Sequence, residues 1–278
     1  EPGLIRKRDM AQFGFKFKFG GCHLRRTMML EELTFLLDAV KDPLARHNEY
    51  RQAALERNCM RKLSSSNAFR SFQHLASLYV LNPSATIFRA LRYFWSRDVA
   101  GRPQVAVLCA YVRDPILRST GNYVVYLPIG SQVIRETLKD SLGSSLANRF
   151  SFQNREDIAY HAISTWTKAG LITSQDGQKL RSQPNTTPGG ITYALFLGYL
   201  LGLRGQDLFE SEYVKILSPS FKHTIQLANQ AASRGWLVLN KEGQTLEVDF
   251  PELLNEEERK MINAWLDKGQ YNALKHPV

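Results

Sequence analysis

The clearest pattern of apolar and polar positions lies between residues 151 and 183. Apolar residues recur there at intervals of three and four: Ile158, Ala162, Ile163, Trp166 and Ala169. This spacing predicts a helix over about 154–169 with one apolar face. Asn154 is a good N-cap for that helix, and Gly170 is a good left-handed C-cap.

A hairpin is predicted directly after this helix. Residues 171–173 favour a short strand, Asp176-Gly177 is typical of a tight turn, and Lys179 and Arg181 lie on the returning strand. A helix followed by a basic hairpin is the outline of a winged helix, whose helix enters the DNA major groove. The alternative is a core helix followed by an unrelated hairpin.

The residues before this stretch favour short helices. The first 12 residues are polar and basic and are predicted to be poorly ordered. The segment FGFKFKF at 13–19 alternates apolar and polar residues, which predicts a core strand, with a platform for single-stranded nucleic acid as the less favoured alternative. Apolar stripes predict helices at about 24–40, after Pro43, at 68–80 and after Pro83.

The loop RNCMRKLSSSN at 57–67 places three cations before a run of serines. Cations, hydroxyls and backbone amides are the groups that contact phosphate oxygens. An ordinary solvated helix cap is the alternative for this loop.

The middle of the chain is expected to complete a three-helix module. Arg113 and Asp114 lie in apolar surroundings, so a buried ion pair or an Asp N-cap is expected there. Residues 123–127 favour a short strand. Helices are then predicted after Gly130 and at 142–149, and together with the helix at 154–169 they would form a winged-helix module over 129–183.

The last third repeats the helix–hairpin order. The apolar run from Ile191 to Leu203 predicts a buried helix, and short helical segments follow at 207–217. A helix at 220–233 and a hairpin at 236–250 then predict a second winged-helix-like unit over 218–251. Its returning strand carries Glu247 and Asp249, which phosphate would repel, so this unit is expected to pack or to contact protein. A final helix is predicted at about 256–270.

Charge adds a reason to expect an anionic partner. The formal net charge is +10, and Lys and Arg number 17 against 9 Asp and Glu in residues 1–100, but 9 against 11 in residues 201–278. A basic excess confined to part of a chain favours nucleic acid, although a merely basic protein is the alternative.

The sequence offers little sign of catalysis, of a cofactor or of a membrane anchor. It lacks phosphate-binding glycine loops, nucleophile-elbow motifs and the zinc-ligand spacings of Cys and His. The longest apolar run, of 13 residues, is too short to cross a bilayer, and the three cysteines are far apart. The sequence therefore predicts a non-enzymatic cytoplasmic protein with no metal and no cofactor. A cryptic nuclease using Asp176 is a third possibility.

Three segments resemble the BrxA-like proteins of BREX phage-defence systems. They are FKFKFGGCHLRRTMMLEELTFLL, NCMRKLSSSNAFRSFQHLASLY and IAYHAISTWTKAGLI, and the resemblance covers roughly residues 13–183. It implies a mostly helical, non-catalytic DNA-binding protein that acts beside a methyltransferase and other defence proteins. By position it also implies DNA contacts from Arg61, Lys62, Ser64 and the helix at 155–168.

The resulting prediction is a mainly α protein with small β-hairpins that binds double-stranded DNA with low sequence specificity. Its predicted parts are a basic helical region at 1–128, a winged-helix module at 129–183 and a C-terminal region at 184–278. The candidate DNA contacts are Arg57, Arg61, Lys62, Ser64, Arg70, Arg155, Tyr160, His161, Ser164, Thr165, Lys168, Lys179 and Arg181. A protein-interaction module of a defence complex is the alternative function.

Overall fold

The computed structural model describes residues 9–18, 20–142, 149–217, 219–243 and 245–267. Within them the fold is mainly helical with two small antiparallel hairpins, as the sequence predicts. The first half contains α1 (Leu30–Ala39), α2 (His47–Leu55), α3 (Ser65–Tyr79), α4 (Thr86–Arg97), α5 (Arg102–Arg113) and α6 (Pro115–Tyr126). The second half contains α7 (Arg135–Ser141), α8 (Phe152–Lys168), β1 (Ile172–Gln175), β2 (Gln178–Arg181), α9 (Pro188–Leu200), α10 (Gly205–Phe209), α11 (Glu212–Ile216), α12 (Phe221–Ser233), β3 (Val238–Glu242), β4 (Thr245–Asp249) and α13 (Glu256–Asp267). Two 3-10 turns, Cys22–Leu24 and Val99–Gly101, precede α1 and α5.

The segment at 13–18 is not a strand, so that prediction was wrong. The chain is helical at 9–12, then turns and runs irregularly, while Phe19 lies outside the described residues. Phe13 and Phe15 are nevertheless buried, as the alternation indicated. The Arg113 guanidinium donates to the carbonyl of Gly14 at 2.7 Å, and Lys16 N–H donates to the carbonyl of Val112 at 3.0 Å. The segment is therefore held by α5, in place of a neighbouring strand.

Residues 123–127 are not a strand either, because α6 continues to Tyr126. Asp114 caps this helix by accepting from the amides of Ile116 and Leu117, and Pro115 occupies its first turn, where a missing N–H costs nothing. The Asp N-cap expected from the sequence is confirmed. The apolar run at the end of the helix packs inward through Val124.

A short extended segment at 130–133 joins the first hairpin. Gly130 and Val133 donate backbone hydrogen bonds to the carbonyls of Arg181 and Lys179, and Gln132 forms a bridge with Leu180. The three backbone segments lie side by side in the order 130–133, β2, β1. Their hairpin turn has positive φ at Asp176 (50°) and Gly177 (78°), the conformation that an Asp-Gly pair favours.

The C-terminal third packs around α9, which is buried along nearly its whole length. It contacts α4, α5, α11 and α12, and α12 leads into the β3–β4 hairpin. Both the buried helix and this second hairpin agree with the sequence prediction. The helices predicted at 142–149 and up to 270 lie partly outside the described residues. Most of the buried apolar side chains of all three predicted regions form one cluster, from Met10 to Ile262, while Ile116, Leu142 and Ile158 form a separate small one.

Candidate nucleic-acid interface

α8 begins three residues before the position that the sequence predicts. Ser151 is the N-cap, and its hydroxyl accepts from Asn154 N–H at 3.2 Å. The helix ends as predicted, with Gly170 at a φ of 84°. Its inner side packs against α6, where Trp166 Nε1 donates to Thr120 Oγ1 at 2.9 Å.

The outer side of α8 carries three of the six predicted contact residues. Tyr160, Ser164 and Lys168 follow one another at intervals of four residues, so they lie in one stripe along the helix. Tyr160 is 59% exposed, Lys168 is exposed and Ser164 is half-buried. His161 lies at the edge of this stripe, half-buried, and its Nδ1–H donates to the carbonyl of His23 at 3.1 Å.

The other two predicted helix contacts are corrected by the structure. Thr165 is fully buried and cannot reach a duplex. Arg155 is half-buried and shares the packed side of the helix with Ala162 and Trp166, at helical spacings of seven and eleven residues. The apolar pattern alone suggested one buried face, but α8 is covered by α6, by α7 and by the turn at Cys22–Leu24.

Thr165 instead belongs to a buried polar cluster with His23 and Asp114. His23 Nδ1 lies 2.8 Å from Asp114 Oδ2, and His23 Nε2 lies 2.9 Å from Thr165 Oγ1. Thr165 Oγ1 also accepts from Met28 N–H at 2.9 Å, so the hydroxyl proton is available to His23. All three side chains are at most 1% exposed. The cluster resembles an acid–base arrangement but is sealed from solvent, and it joins the start of the chain to α6 and α8.

Asp114 is the acceptor at the centre of this cluster. Its Oδ2 also accepts from the backbone amides of Cys22 (2.7 Å) and His23 (3.0 Å). Burial alone would raise the pKa of this carboxyl group, but His23 and the backbone donors outweigh burial and hold the pKa below its usual value. The backbone also approaches closely, since a Cβ on Gly21 would lie 1.7 Å from Asp114 Oδ1. Sequence reasoning gave Asp114 a cap role but missed these partners.

The basic loop before α3 is ordered by its own asparagine. Asn58 Oδ1 accepts from Lys62 N–H, and Asn58 Nδ2 donates to the carbonyl of Lys62, both at 2.9 Å. Arg57 and Arg61 are exposed, and Arg61 lies over the Phe35 ring at 5.1 Å. The loop therefore presents its arginines to solvent on a fixed backbone.

The other predicted residues of this region serve α3 locally. Ser64 is the N-cap of α3 and accepts from Asn67 N–H at 3.2 Å. Arg70 is exposed and donates to Ser66 Oγ at 2.8 Å. The ordinary cap that was the alternative reading is thus present at Ser64, while the Ser64 hydroxyl proton and most of the Arg70 donors stay available.

Glu32 of α1 connects the basic loop to α8. Its carboxylate accepts from Lys62 Nζ at 2.8 Å, and the positive charge of Lys168 also stabilises the ionised form of this carboxylate. Burial raises the pKa of Glu32, but the Lys62 hydrogen bond and the charges of Lys62 and Lys168 together lower it below the usual value. The end of α8 and the basic loop, which are more than 100 residues apart in sequence, therefore lie on the same side of the molecule.

Two arginines that sequence reasoning did not select, Arg25 and Arg26, follow the turn at Cys22–Leu24, which packs against α8. Burial, and then the charges of Arg26 and Arg25, lower the pKa of His74 on α3. Burial is also the largest cause of the lowered pKa of His161, to which the charge of Arg26 adds. Arg26 thus lies between α3 and α8. The available signal was the Arg25-Arg26 pair after the Gly20-Gly21 break.

Pairwise contacts and charge effects link these cations to one another and to α8, and we call the set the cationic face. α7 adds an exposed arginine, Arg135, which lies over the Tyr160 ring at 5.8 Å. Arg70 lies one turn before His74 on α3. The cationic face consists of Arg25, Arg26, Arg61, Lys62, Arg70, Arg135 and Lys168. Glu32 and Asp157 lie within it and neutralise part of its charge.

The hairpin contributes less to this surface than the sequence predicts. Lys179 is half-buried and donates to Ser174 Oγ at 2.7 Å. Arg181 is 1% exposed, and its guanidinium donates to the carbonyls of Val124 (2.8 Å) and Leu171 (3.1 Å). The prediction that Arg181 contacts phosphate was therefore wrong. This side chain holds the hairpin against the end of α6.

The second helix–hairpin unit, α12 with β3 and β4, carries on β4 the acidic residues that the sequence predicts for its returning strand. Glu247 is exposed, and Asp249 pairs with Arg259 of α13 at 2.7 Å. Phe221 and Val238 of this unit are 46% and 43% exposed. The unit thus presents carboxylates and apolar side chains, in contrast to the cationic face.

Searches for other kinds of site and for relatives gave no match. Among the described residues, no three His, Cys, Asp or Glu side chains are grouped as a metal site would require. No helix in the described part of the chain has the length and apolar character needed to cross a membrane. No protein-family model matches the chain, and no curated protein is significantly similar to it in sequence.

Proposed function

We propose that the protein is a non-catalytic, double-stranded DNA-binding protein of low sequence specificity. In this proposal the winged-helix module predicted at 129–183 begins earlier, with α6 at Pro115, α8 is the helix that meets the duplex, and the cationic face surrounds the contact. The observation that carries the proposal is the cationic face, because it brings separate basic segments of the chain together around the exposed stripe of α8.

The order of elements supports the winged-helix assignment. A winged helix consists of a helix, a short strand, two helices and a hairpin that pairs with the first strand, and its third helix lies in the major groove. Here α6, the segment 130–133, α7, α8 and the β1–β2 hairpin follow in that order, and 130–133 pairs with β2.

The chemistry of the exposed groups supports low specificity. The cationic face is dominated by flexible Arg and Lys side chains, which suit phosphate oxygens. The exposed stripe of α8 offers Tyr160, Ser164 and Lys168 to a groove, but also Asp157, which a phosphate would repel. Most of the affinity is therefore expected from charge, and it should fall steeply with salt.

The role in phage defence depends on the resemblance to BrxA-like proteins described above. The resemblance implies that the protein acts beside a methyltransferase and other defence components. Affinity purification of the chain from a cell that carries the whole defence locus should recover the methyltransferase after nuclease treatment. Recovery that is lost with nuclease would mean that the two share DNA and make no direct contact.

Fluorescence anisotropy on random-sequence duplexes over a salt series tests DNA binding. We expect the triple variant Arg26→Glu, Arg61→Glu and Lys168→Glu to weaken binding to all duplexes alike. If each residue neutralises one phosphate, the slope of log K against log salt should become shallower by roughly 2.7. The matched control is Lys222→Glu with Lys241→Glu, two exposed lysines of the second unit, which should leave binding nearly unchanged. Equal losses in both variants would refute an interface centred on α8.

A protein-interaction module remains the second candidate, because of the second unit. Exposed Phe221 and Val238 beside the acidic β4 strand suit a basic, partly apolar protein surface. This candidate predicts that the control variant, and not the triple variant, loses a protein partner in the same purification.

A further inference from the structure

A second basic cleft lies away from the cationic face, at the other end of α1. Glu32 lies in the first turn of α1, whereas the cleft begins at Leu37 and Asp38 near its last turn. None of the residues that line the cleft belongs to the cationic face. The cleft has a volume of about 780 Å³, which is within the range of small-molecule sites.

The cleft is lined by an excess of cations. Lys41, Arg89, Arg92, Arg97 and Arg102 line it, together with the carboxylates of Asp38 and Glu252. Arg89 is already neutralised by Glu258 at 2.6 Å, and Asp38 lies 3.7 Å from Arg102 in a looser pair. The remaining cations outnumber the remaining carboxylates, so the cleft favours an anion.

Two of these arginines are held in place by aromatic rings. The Arg97 guanidinium lies 3.8 Å from the centroid of the Tyr93 ring, and that of Arg102 lies 5.1 Å from the Trp95 ring. Each also donates one hydrogen bond to a backbone carbonyl, Arg97 to Tyr93 at 3.0 Å and Arg102 to Trp95 at 2.8 Å. Guanidinium groups fixed in this way lose little freedom when they bind a phosphate, and they keep further N–H donors for it.

The wall of the cleft also contains buried donors without a partner. Trp95 is 2% exposed and Arg92 is 7% exposed, and neither Trp95 Nε1 nor Arg92 Nε has a hydrogen-bond partner among the described residues. The other nitrogens of Arg92 donate to the carbonyls of Leu37, Val40 and Lys41, which fixes this side chain at the end of α1. Buried donors are normally paired, but these two nitrogens have almost no accessible surface, so they are not among the groups that would contact a ligand in the cleft.

The rest of the lining is apolar. Leu37, Pro43, Leu44 and Leu253 complete the cleft, and Leu44 is 69% exposed at its rim. A bare phosphate would use the arginines and leave these side chains facing water. We propose that the cleft binds a nucleotide, with the phosphates on Arg97, Arg102 and Lys41 and the base against the apolar side chains.

Isothermal titration calorimetry on the full chain tests this proposal. The titrants are ATP, GTP, CTP and UTP, with inorganic pyrophosphate and the four nucleosides as matched arms. At least one nucleoside triphosphate should bind at least about tenfold more tightly than pyrophosphate and than its own nucleoside. Arg97→Ala with Arg102→Ala should weaken that binding by at least about tenfold. Arg97→Ala alone changes an exposed side chain and provides a folded variant in which a smaller loss is expected.

The matched control is Arg234→Ala. Arg234 is exposed and lies over a tryptophan ring, Trp236, at 4.9 Å, but it is outside the cleft. The Arg234→Ala variant should bind the nucleotide as tightly as the native chain does. The triple variant of the cationic face should also keep nucleotide binding, which separates this site from the proposed DNA interface. Absence of binding up to about 1 mM, equal affinity for pyrophosphate, or equal losses in the Arg97 and Arg234 variants would overturn the proposal.

Discussion

Replacing Asp114 by alanine should be among the most destabilising single changes in the described part of the chain. Its carboxylate accepts from four backbone amides and from the His23 ring, at distances between 2.7 and 3.2 Å. A buried donor left unsatisfied costs about 1–3 kcal/mol, but the backbone can relax and water can enter the vacated space. We therefore expect a loss of about 3–5 kcal/mol, the range found when one partner of a buried charged pair is removed.

Urea denaturation followed by circular dichroism would measure this loss. The matched control is Ser151→Ala, which removes the single N-cap bond of α8 at a more exposed position and should cost about 1 kcal/mol. Asp114→Asn should not restore stability, because in either orientation its NH2 group would face two backbone N–H groups, those of Cys22 and His23 or those of Ile116 and Leu117. If Asp114→Ala costs no more than Ser151→Ala, the cluster does not stabilise the fold as argued.

The stability lost in Asp114→Ala should depend on pH. The folded pKa of Asp114 lies below its ordinary value of 3.8, so the unfolded chain binds the proton more tightly than the folded chain does. The ionised group therefore contributes stability that is complete above the unfolded pKa and is lost as pH falls through the folded pKa. The difference between native and Asp114→Ala proteins should be constant near neutrality and should shrink below about pH 4.

Three further predictions concern the hairpin and the C-terminal region. Arg181→Met should lower the free energy of unfolding, measured in urea, by about 2–4 kcal/mol, because it leaves buried carbonyls without donors. Lys179→Met should lower it by less than about 0.5 kcal/mol, and equal effects would contradict the burial of Arg181. Burial raises the pKa of Glu212 despite Arg118 and two tyrosine hydrogen bonds, so native stability should fall as pH rises through the unfolded and then the folded pKa. Glu212→Gln should lack that fall, so its midpoint of thermal unfolding should be higher than that of the native protein near pH 7 but not at pH 4. A difference that does not change with pH would refute the raised pKa of Glu212. Gly177→Ala, at a φ of 78°, should cost about 1 kcal/mol and speed hydrogen exchange of the hairpin amides; unchanged exchange would contradict it.

The elements with strong local signals could be predicted from the sequence. The apolar spacing of α8, Gly170 after it and Asp176-Gly177 in the turn each specify a local conformation that needs no distant partner. The same holds for the second hairpin and for the uninterrupted apolar run of α9.

The failures concern residues whose state depends on distant parts of the chain. The alternation at 13–19 correctly indicated that Phe13 is buried, but among the described residues no strand lies beside it, and its ring instead meets that of Trp265 at 5.5 Å. Apolar residues at 123–127 favour a strand locally, yet the Asp114 cap and Pro115 start a helix that continues through most of them. Lys179 and Arg181 share one side of a strand, but only the second meets the end of α6. The Arg25-Arg26 pair is visible in the sequence, but its position near α8 depends on the packing of the turn at Cys22–Leu24 against that helix.

The buried link between His23, Asp114 and Thr165 limits how the chain can be divided. An excised fragment covering only the helix–hairpin region would expose Thr165 and lose the segment at 22–28 that covers one flank of α8. Such a fragment should be a poor autonomous module, and grafting it onto another protein should fail unless the N-terminal turn travels with it. Truncation experiments on short pieces would therefore underestimate each piece, because α8 takes its orientation from residues more than 130 positions earlier in the sequence.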